Sequence, residues 1–378
     1  MSANVYYPQT LVGDIAAQFG RSEGAAGLVV TLTQLGYGIG LLFVVPLLDI
    51  LENRRLMLSL VALAAAGLLL AGGAPALPWL ISACFLVGIG SVCVQILVPY
   101  ASYLALPGQE GRVVGLVTAG LMAGIMLARP AASLAASFGG WRTIFFIGFG
   151  AMALCGLLIR RHVPQRQPSG KMGYRRALGG MWRALRDEPV LRRRLAYQAA
   201  LFSTFSMFWT VAPLELAGPD FGLGQRGIAI FALAGAMSVL GAPLGGLLAD
   251  RGYGRAASGA ALALGAASFA LTFLFPDARF AALLVFFAAA LLLDLALTLS
   301  FVIGQRTIFA LGETRRGSLN GIFMAGFYSA GAVGSGLGGL LFAHFGWPAA
   351  ALAGSLVLIA ALVFWLTEPR PLTKESHV

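Results

Sequence analysis

The sequence predicts an all-α membrane protein built from two related helical halves, and three observations predict it. Hydrophobic residues make up 58% of the 378-residue chain and charged residues only 11%, whereas charged residues are roughly a quarter of a typical soluble domain. The apolar runs show no alternation, and lipid admits only helices or closed barrels, so we expect helices. The same pattern, an acidic residue followed by arginines between two long apolar runs, occurs at 45–55 and again at 245–255. The chain therefore carries an internal repeat.

Long runs without Asp, Glu, Lys or Arg define the predicted helices, because a helix that spans a bilayer needs about 20 mostly apolar residues. The charge-free runs are 24–48, 56–109 (split at 72–75), 143–159, 195–214, 227–249, 256–276, 317–343 and 347–367. Two further runs, 113–141 and 280–305, carry one charge each, Arg129 and Asp294. The sequence thus predicts eleven full transmembrane helices, numbered 2 to 12 because the first half has one fewer than the second.

The first nineteen residues are too polar and too short to span a membrane alone. Matching Phe19-Gly20 with Phe221-Gly222 sets them beside the outer half of helix 7, so we expect a truncated first helix. Either the start codon is assigned too far downstream or the chain is a shortened paralogue. The predicted organisation is an N-terminal helical half at 1–159, a basic cytoplasmic linker at 160–194, and a C-terminal helical half with a short tail at 195–378.

The net charge of +11 is explained by the placement of the basic residues. Alternate connections hold 21 Lys and Arg residues, including eleven in the linker, and the opposite connections hold four. Basic loops stay in the cytoplasm, so we expect a multi-pass protein of the cytoplasmic (inner) membrane with the central loop and C-terminus inside. We expect no nucleic-acid partner. Apolar residues at helical spacing in 175–185 suit either a helix on the membrane surface or a solvated basic loop.

Motifs for other chemistry are missing from the sequence. It has no Walker loop, no His-Glu-x-x-His and no plausible Ser/His/Asp set. Its three cysteines, Cys84, Cys93 and Cys155, fall inside predicted helices, where small core roles are expected. We therefore expect no enzyme activity, no metal and no cofactor.

Arg129 and Asp294 lie near the middle of their predicted helices. Asp294 is 15 residues past Arg279 and 12 before Arg306, which is mid-bilayer at about 1.5 Å per residue. A charge at that depth costs at least roughly 2.5 to 3.5 kcal/mol, so each side chain is expected to face protein or a wet cavity. Asp294 is a candidate to exchange a proton. The alternative is a fixed structural ion pair, or an Arg129 that is bonded to the backbone.

Several short motifs accompany the repeated acid-plus-arginine loops. They are Asn4-Val5-Tyr6-Tyr7-Pro8-Gln9, Thr33-Gln34-Leu35-Gly36-Tyr37, Gly88-Ile89-Gly90, Gln95-Ile96-Leu97-Val98-Pro99 and Leu293-Asp294-Leu295. With these motifs the chain resembles the major facilitator superfamily, and in detail its bacterial drug and metabolite efflux branch of proton antiporters. The resemblance implies two six-helix halves around a central cavity. In this chain the first helix of that plan is truncated.

This resemblance implies a secondary active transporter that exports a small organic solute by alternating access in exchange for protons. The implied partners are the small-molecule substrate, protons and the lipid bilayer, and we expect a monomer. The candidate coupling residues are Asp294 and Arg129. The candidate cavity residues are Tyr6, Tyr7, Gln9, Gln34, Tyr37, Gln95, Gln198, Phe202, Phe205 and Trp209. The candidate cytoplasmic gate comprises Asp49, Arg54, Arg55, Arg112, Asp250, Arg251, Arg255 and Arg316.

Three departures from the pattern of the family bear on the exchange mechanism. Ile50 and Glu52 stand where a basic residue and a glycine are usual, and Cys84 stands where many proton-coupled exporters have an arginine. Ala128-Arg129-Pro130 replaces the usual Gly-Pro of helix 5. Proton-linked uptake or facilitated diffusion therefore stays open as an alternative. A membrane scaffold that transports nothing also stays open, and it is favoured if the truncation of the first helix is genuine.

Overall fold

The computed structural model of the chain describes residues 1–104, 109–165, 167, 173–235, 241–274, 279–312 and 316–369. Every regular element in these ranges is a helix. The prediction of an all-α protein is therefore confirmed for the described part of the chain.

The first half opens with short helices and continues with long ones. Two 3-10 turns, Ser2–Val5 and Tyr7–Thr10, precede the first α-helix, and a third, Val45–Asp49, follows the second. The α-helices of this half are α1 (Val12–Phe19), α2 (Glu23–Phe43), α3 (Asn53–Gly72), α4 (Leu77–Ser91), α5 (Cys93–Leu104), α6 (Glu110–Gly139) and α7 (Arg142–His162).

The second part of the chain adds seven helices. They are α8 (Tyr174–Asp187), α9 (Pro189–Ala217), α10 (Gln225–Ala232), α11 (Gly241–Asp250), α12 (Gly254–Leu271), α13 (Arg279–Phe309) and α14 (Arg316–Leu366). The last of these breaks at Gly346, whose φ of 72° is left-handed. Glycine adopts that conformation without steric cost, and Pro348 follows it, so α14 comprises two membrane segments.

Eight helices in the described ranges are long and apolar enough to cross a membrane. One of them is α14, which its break divides in two. The described chain also contains α12, with 18 residues, and α10 and α11, which lie on either side of 236–240. With α14 counted as two segments and α12 added, ten of the eleven predicted full helices are described, and α10 and α11 are the described parts of the eleventh. The short helices of residues 2–19 precede them.

The helices differ in how deeply they are enclosed. In the most apolar window of α9, 78% of residues are buried, whereas the corresponding share is 28% for α7. Large apolar side chains such as Leu154 and Leu157 on α7 are exposed, as expected of a helix that faces lipid. The central position therefore belongs to α9, which carries all four candidate cavity residues of the second half.

Close helix contacts depend on small residues. An added Cβ on Gly334 of α14 would overlap the backbone carbonyl of Ser203 on α9, and one on Gly88 of α4 would overlap the carbonyl of Thr33 on α2. Small residues let helix backbones approach in this way within membranes. The position of α9 and α2 around the centre is thus fixed by glycine contacts.

The two ends of the bundle are named by the helices that begin and finish there. We call the end where α7 finishes and α12 begins the basic face, and the end where α1 and α6 finish and α10 begins the distal face. The halves meet along α2 and α14, and also through α1 with α9 and α6 with α10. The last two contacts lie on the distal side of the bundle.

The linker helix α8 packs on the basic face. Met181 and Ala184 are buried, and an added Cβ on Gly321 of α14 would meet the Met181 Cε at 2.9 Å. The Tyr174 hydroxyl donates to the carbonyl of Phe43 at 2.9 Å. Trp182 on the other side is 68% exposed. The segment 175–185 is thus helical, with one face against the bundle.

Candidate functional site

Arg129 on α6 and Asp294 on α13 are both buried, with 2% and 3% of their surface exposed. Neither side chain faces lipid, as their depth in the sequence predicts. The two side chains lie close together in the centre of the bundle. Both are next to Gly235, which has no side chain to separate them. A Cβ on Gly235 would lie 2.9 Å from Asp294 Oδ2 and 3.0 Å from an Arg129 Nη1.

The Arg129 guanidinium is held by one amide and three aromatic rings. Its Nε donates to Oε1 of Gln9 at 2.8 Å. Its Cζ lies 4.2 Å from the ring centroid of Trp209, 4.8 Å from that of Phe205 and 5.4 Å from that of Tyr6. Aromatic faces attract a cation most strongly where water is excluded. The sequence motif around Gln9 and the candidate cavity residues Phe205 and Trp209 of α9 thus meet at Arg129.

Asp294 is bound on one oxygen and unpartnered on the other. The indole Nε1 of Trp209 donates to Oδ1 at 3.4 Å, whereas Oδ2 has no hydrogen-bond partner among the described residues. Within the same part of the chain, no ion pair of 4.0 Å or less joins Asp294 to Arg129. The fixed ion pair considered from the sequence is therefore absent within that distance, and Trp209 contacts both groups.

An aromatic cluster adjoins this charged group. Tyr37 and Tyr328 lie with ring centroids 4.2 Å apart, and the Tyr328 hydroxyl is 3.2 Å from that of Tyr6. The Gln95 Nε2 donates to the Tyr37 hydroxyl at 3.2 Å. The ring of Phe202 adjoins Tyr328 at 5.2 Å. Tyr6, Tyr37, Gln95 and Phe202 were candidates from the sequence, whereas Tyr328 was missed.

Tyr328 lies in the glycine-rich first segment of α14. A polar ring among mostly small and apolar residues is the signal that identifies such a position from sequence. Its neighbour Phe327 stacks on Phe202 with centroids 3.7 Å apart. Helix α14 therefore supplies two rings to the centre.

Three other candidates have different surroundings. The Gln34 Nε2 donates to Oγ of Ser206 at 3.0 Å, and its Oε1 is unpartnered among the described residues. Gln198 is buried with neither side-chain polar atom bonded to a described residue. Tyr7 points elsewhere, because a Cβ on Gly148 of α7 would meet its ring at 3.2 Å. Unpartnered buried amides are costly, and Gln34 and Gln198 thus have hydrogen-bonding capacity that no described residue uses.

The first candidate gate loop is partly described. The side chains of Asp49, Arg112 and Arg316 lie outside the described part of the chain. The Arg54 guanidinium donates to the backbone carbonyl of Arg160, and Arg55 lies 3.7 Å from the Glu52 carboxylate.

Glu52 also caps the third helix. Its carboxylate accepts from the backbone N–H groups of Arg54 at 2.7 Å and Arg55 at 3.0 Å, which satisfies donors at a helix N-terminus. The departure from the usual glycine therefore has a local structural role.

The second candidate gate loop makes contacts within its own half. Asp250 pairs with Arg306 of α13, and Nε of Arg255 donates to the carbonyl of Glu368 at 3.1 Å. The Glu368 carboxylate in turn pairs with Arg194 of α9 at 2.8 Å. A cavity of about 490 Å³ on the basic face is lined by these groups. Arg251 is exposed.

A family model described as "Major Facilitator Superfamily" matches residues 1–308 and 229–377, which together span nearly the whole chain. The chain belongs to the Major Facilitator Superfamily. The resemblance inferred from the motifs is therefore confirmed, and so is the predicted fold class.

Relatives in the superfamily extend over most of the chain. The uncharacterized transporter YgaY of Escherichia coli O157:H7 is 37% identical over 363 residues, which cover 96% of this chain and 91% of YgaY. The purine ribonucleoside efflux pump NepI of Salmonella paratyphi A is 25% identical over 369 residues, covering 95% and 88%. The crystal structure of a point mutant of the nucleoside transporter NupG superposes with a TM-score of 0.77 at 14% identity and covers 97% of both chains. The last similarity shows the fold alone.

Proposed function

We propose that this Major Facilitator Superfamily transporter exports a small organic solute across the cytoplasmic membrane in exchange for protons. The observation that carries the proposal is the buried Asp294 carboxylate, whose Oδ2 is unpartnered among the described residues while Oδ1 is bonded to Trp209. A membrane-embedded carboxylate is most often part of a substrate or ion pathway. Alternating access then moves the two halves about this centre.

The exchange rests on competition at one cluster. Arg129 lies in the same cluster as Asp294 without forming an ion pair within 4.0 Å. A proton on Asp294 removes its attraction for Arg129, whereas an anionic carboxylate retains that attraction. The affinity for a substrate that contacts the aromatic rings around Arg129 therefore depends on whether Asp294 is protonated. Occupation by proton and by substrate therefore become linked, as coupling requires.

The proposed substrate is a small, flat organic solute with hydrogen-bonding edges. Tyr37, Phe202 and Tyr328, which pack against one another and their neighbours in this structure, are the proposed stacking residues, and aromatic rings prefer offset or edge contacts at about 4.5–7 Å centroid separations. The amides of Gln34 and Gln198 offer polar atoms that no described residue bonds. The name of the relative NepI makes purine ribonucleosides the first compounds to test.

The proposed topology places the basic face in the cytoplasm. The helical halves at 1–159 and 195–378 are the proposed moving bodies, with 160–194 as the cytoplasmic linker. Basic connections at this face support the assignment. Asp250 and Arg255 are the proposed gate residues of the second half, in the network described above.

The test uses inside-out membrane vesicles with an acid interior, and compounds from a panel of nucleosides, bases and cationic dyes are added to the outer medium. We expect at least one compound to accumulate inside, and a protonophore to abolish that accumulation. Transport that equilibrates the compound without a pH gradient would indicate facilitated diffusion. Accumulation only in right-side-out vesicles with an acid exterior would indicate uptake. Either result would contradict proton-driven export.

A further inference from the structure

Helix α8 lies at the level where membrane-spanning helices end. The Tyr174 hydroxyl at its start donates to the carbonyl of Phe43, the last residue of α2. Met181 packs beside Gly321, which is within the first two turns of α14. The helix also contacts α9 and the 3-10 turn Val45–Asp49. These contacts place α8 at the boundary between the bilayer core and the basic face.

One flank of α8 is apolar beyond the face that packs on the bundle. Leu178, Trp182 and Leu185 follow one another at spacings of four and three, so they share one side of the helix. The two leucines are partly buried, whereas Trp182 is exposed. Phe43 and Leu51, next to the elements that α8 contacts, are exposed as well. Tryptophan is enriched where a membrane meets water, so this flank fits the surface of a leaflet.

The outer side of α8, which we call the arginine face, comprises Arg175, Arg176, Arg183 and Arg186. All four side chains are exposed, and the one acidic residue of the helix is Asp187 at its last position. Among the described residues, no ion pair of 4.0 Å or less joins any of the four arginines to a carboxylate. The arginine face therefore keeps an excess of positive charge.

Three arginines of this face surround one cavity of about 630 Å³, which Gly173 and Gly179 also line. Gly179 lies one turn after Arg175 and one turn before Arg183, and a Cβ added to it would meet nothing within 4 Å. The Arg183 Nε donates to the carbonyl of Gly179 at 3.2 Å, which leaves its two Nη groups for another acceptor. Guanidinium groups bind phosphate oxygens in pairs. The cavity therefore has the chemistry of a phosphate site.

We propose that the arginine face of α8 binds the phosphate headgroups of anionic phospholipids in the leaflet at the basic face, with Trp182 inserted among the lipids. Clusters of about four or more basic residues on an amphipathic helix are attracted to anionic lipid. The apolar flank beside the arginines favours a lipid over a soluble anion, because it offers a surface to the acyl chains. This interaction involves neither the transported solute nor the protons, so its test needs no transport.

The test measures how strongly brominated lipids quench the fluorescence of Trp182. Protein in phosphatidylcholine nanodiscs receives increasing fractions of brominated phosphatidylglycerol, which is anionic, or of brominated phosphatidylcholine. Trp182 and Trp79 are matched probes, with 68% and 64% of their surface exposed. Trp79 lies on α4, which has no charged residue. Trp79→Phe isolates the signal of Trp182, and Trp182→Phe isolates that of Trp79.

We expect phosphatidylglycerol to associate at Trp182 about tenfold or more tightly than phosphatidylcholine, and the two lipids to associate equally at Trp79. The reason is that each arginine near an anionic surface contributes about fivefold in the binding constant. Higher ionic strength should weaken the preference at Trp182, because salt screens exposed charges.

Replacement of the arginines tests which side of α8 the lipid contacts. In the Trp79→Phe background, Arg175→Gln, Arg176→Gln and Arg183→Gln should each lower the preference about fivefold, and the triple variant should abolish it. Arg161→Gln, which removes an exposed arginine at the end of α7, should leave the preference unchanged. The single variants are measured so that the result does not depend on the stability of the triple variant.

Four results would overturn the proposal. Equal quenching of Trp182 by both lipids would show membrane contact without recognition of an anionic headgroup, and no quenching would show that α8 faces water. A preference that persists in the triple variant would place the lipid elsewhere. Loss of the preference in inorganic phosphate, but not in sodium chloride of the same ionic strength, would show that a soluble anion occupies the cavity. None of these results bears on the coupling role of Asp294.

Discussion

The indole Nε1 of Trp209 donates a hydrogen bond to Oδ1 of Asp294, with 3.4 Å between the two atoms. The same ring lies beneath the Arg129 guanidinium at 4.2 Å. One side chain of α9 thus contacts the two buried charges, which belong to α6 and α13 in different halves. We therefore expect a change in the charge of Asp294 to reach both halves through Trp209.

Trp209→Phe should weaken coupling while the fold persists. Phenylalanine keeps a ring face for Arg129 but cannot donate to Asp294, so the free energy of unfolding should fall by about 1–3 kcal/mol, because a buried acceptor is left without its donor. Proton-driven accumulation should fall more than downhill exchange of the same substrate. Both are measured in vesicles.

The matched control for Trp209→Phe is Trp347→Phe. Trp347 is also buried, and its indole donates to Thr272 Oγ1 at 3.0 Å rather than to Asp294. This variant should lose similar stability and keep the ratio of driven to downhill transport. Equal ratios in both variants would contradict the role assigned to Trp209.

Arg194→Ala should destabilise the basic face of the second half. Arg194 bonds to both Ser258 and Glu368, at 2.7 and 2.8 Å, and its removal leaves a largely buried carboxylate without its cation. Breaking such a pair costs about 3 kcal/mol. Thermal unfolding in detergent should show a lower midpoint. Arg192→Ala, which removes an exposed arginine bonded to backbone carbonyls, should change the midpoint little; an equal loss in both variants would show that the pair is not stabilising.

The sidedness of the protein is tested by a single cysteine at Ser169, which lies in the linker outside the described residues. In a background without the native cysteines, it should react with an impermeant thiol reagent only from the cytoplasmic face. The reason is the 21 to four distribution of basic residues between the two sets of connections. Labelling in intact cells would overturn the proposed topology.

Much of the fold was predictable from the sequence, because a bilayer imposes one strong requirement on each segment. Charge-free runs of the right length indicated the helices, and the break at Gly72-Gly73-Ala74-Pro75 falls between α3 and α4. The motifs indicated the family, which the family model confirmed. The interruption of helix 4 at Val92, between α4 and α5, was not predicted, since the apolar run continues through it.

The candidate site was predictable in its residues and less so in its contacts. The depth of Arg129 and Asp294 could be counted along each helix, and both side chains are buried. That Trp209 contacts both depends on the rotation of α9 relative to α6 and α13, which hydropathy does not report. The pairing of Asp250 with Arg306 likewise depends on which helices are neighbours. The functional roles of all these residues stay predictions.

The most direct test of the account is proton-driven transport by Asp294→Asn in inside-out vesicles with an acid interior. Asparagine keeps the size and an acceptor for Trp209 but carries no exchangeable charge. We predict that accumulation of the substrate against its gradient is abolished, while expression and downhill exchange persist. Accumulation at the wild-type level would contradict the account, because the proton would then be exchanged at another site.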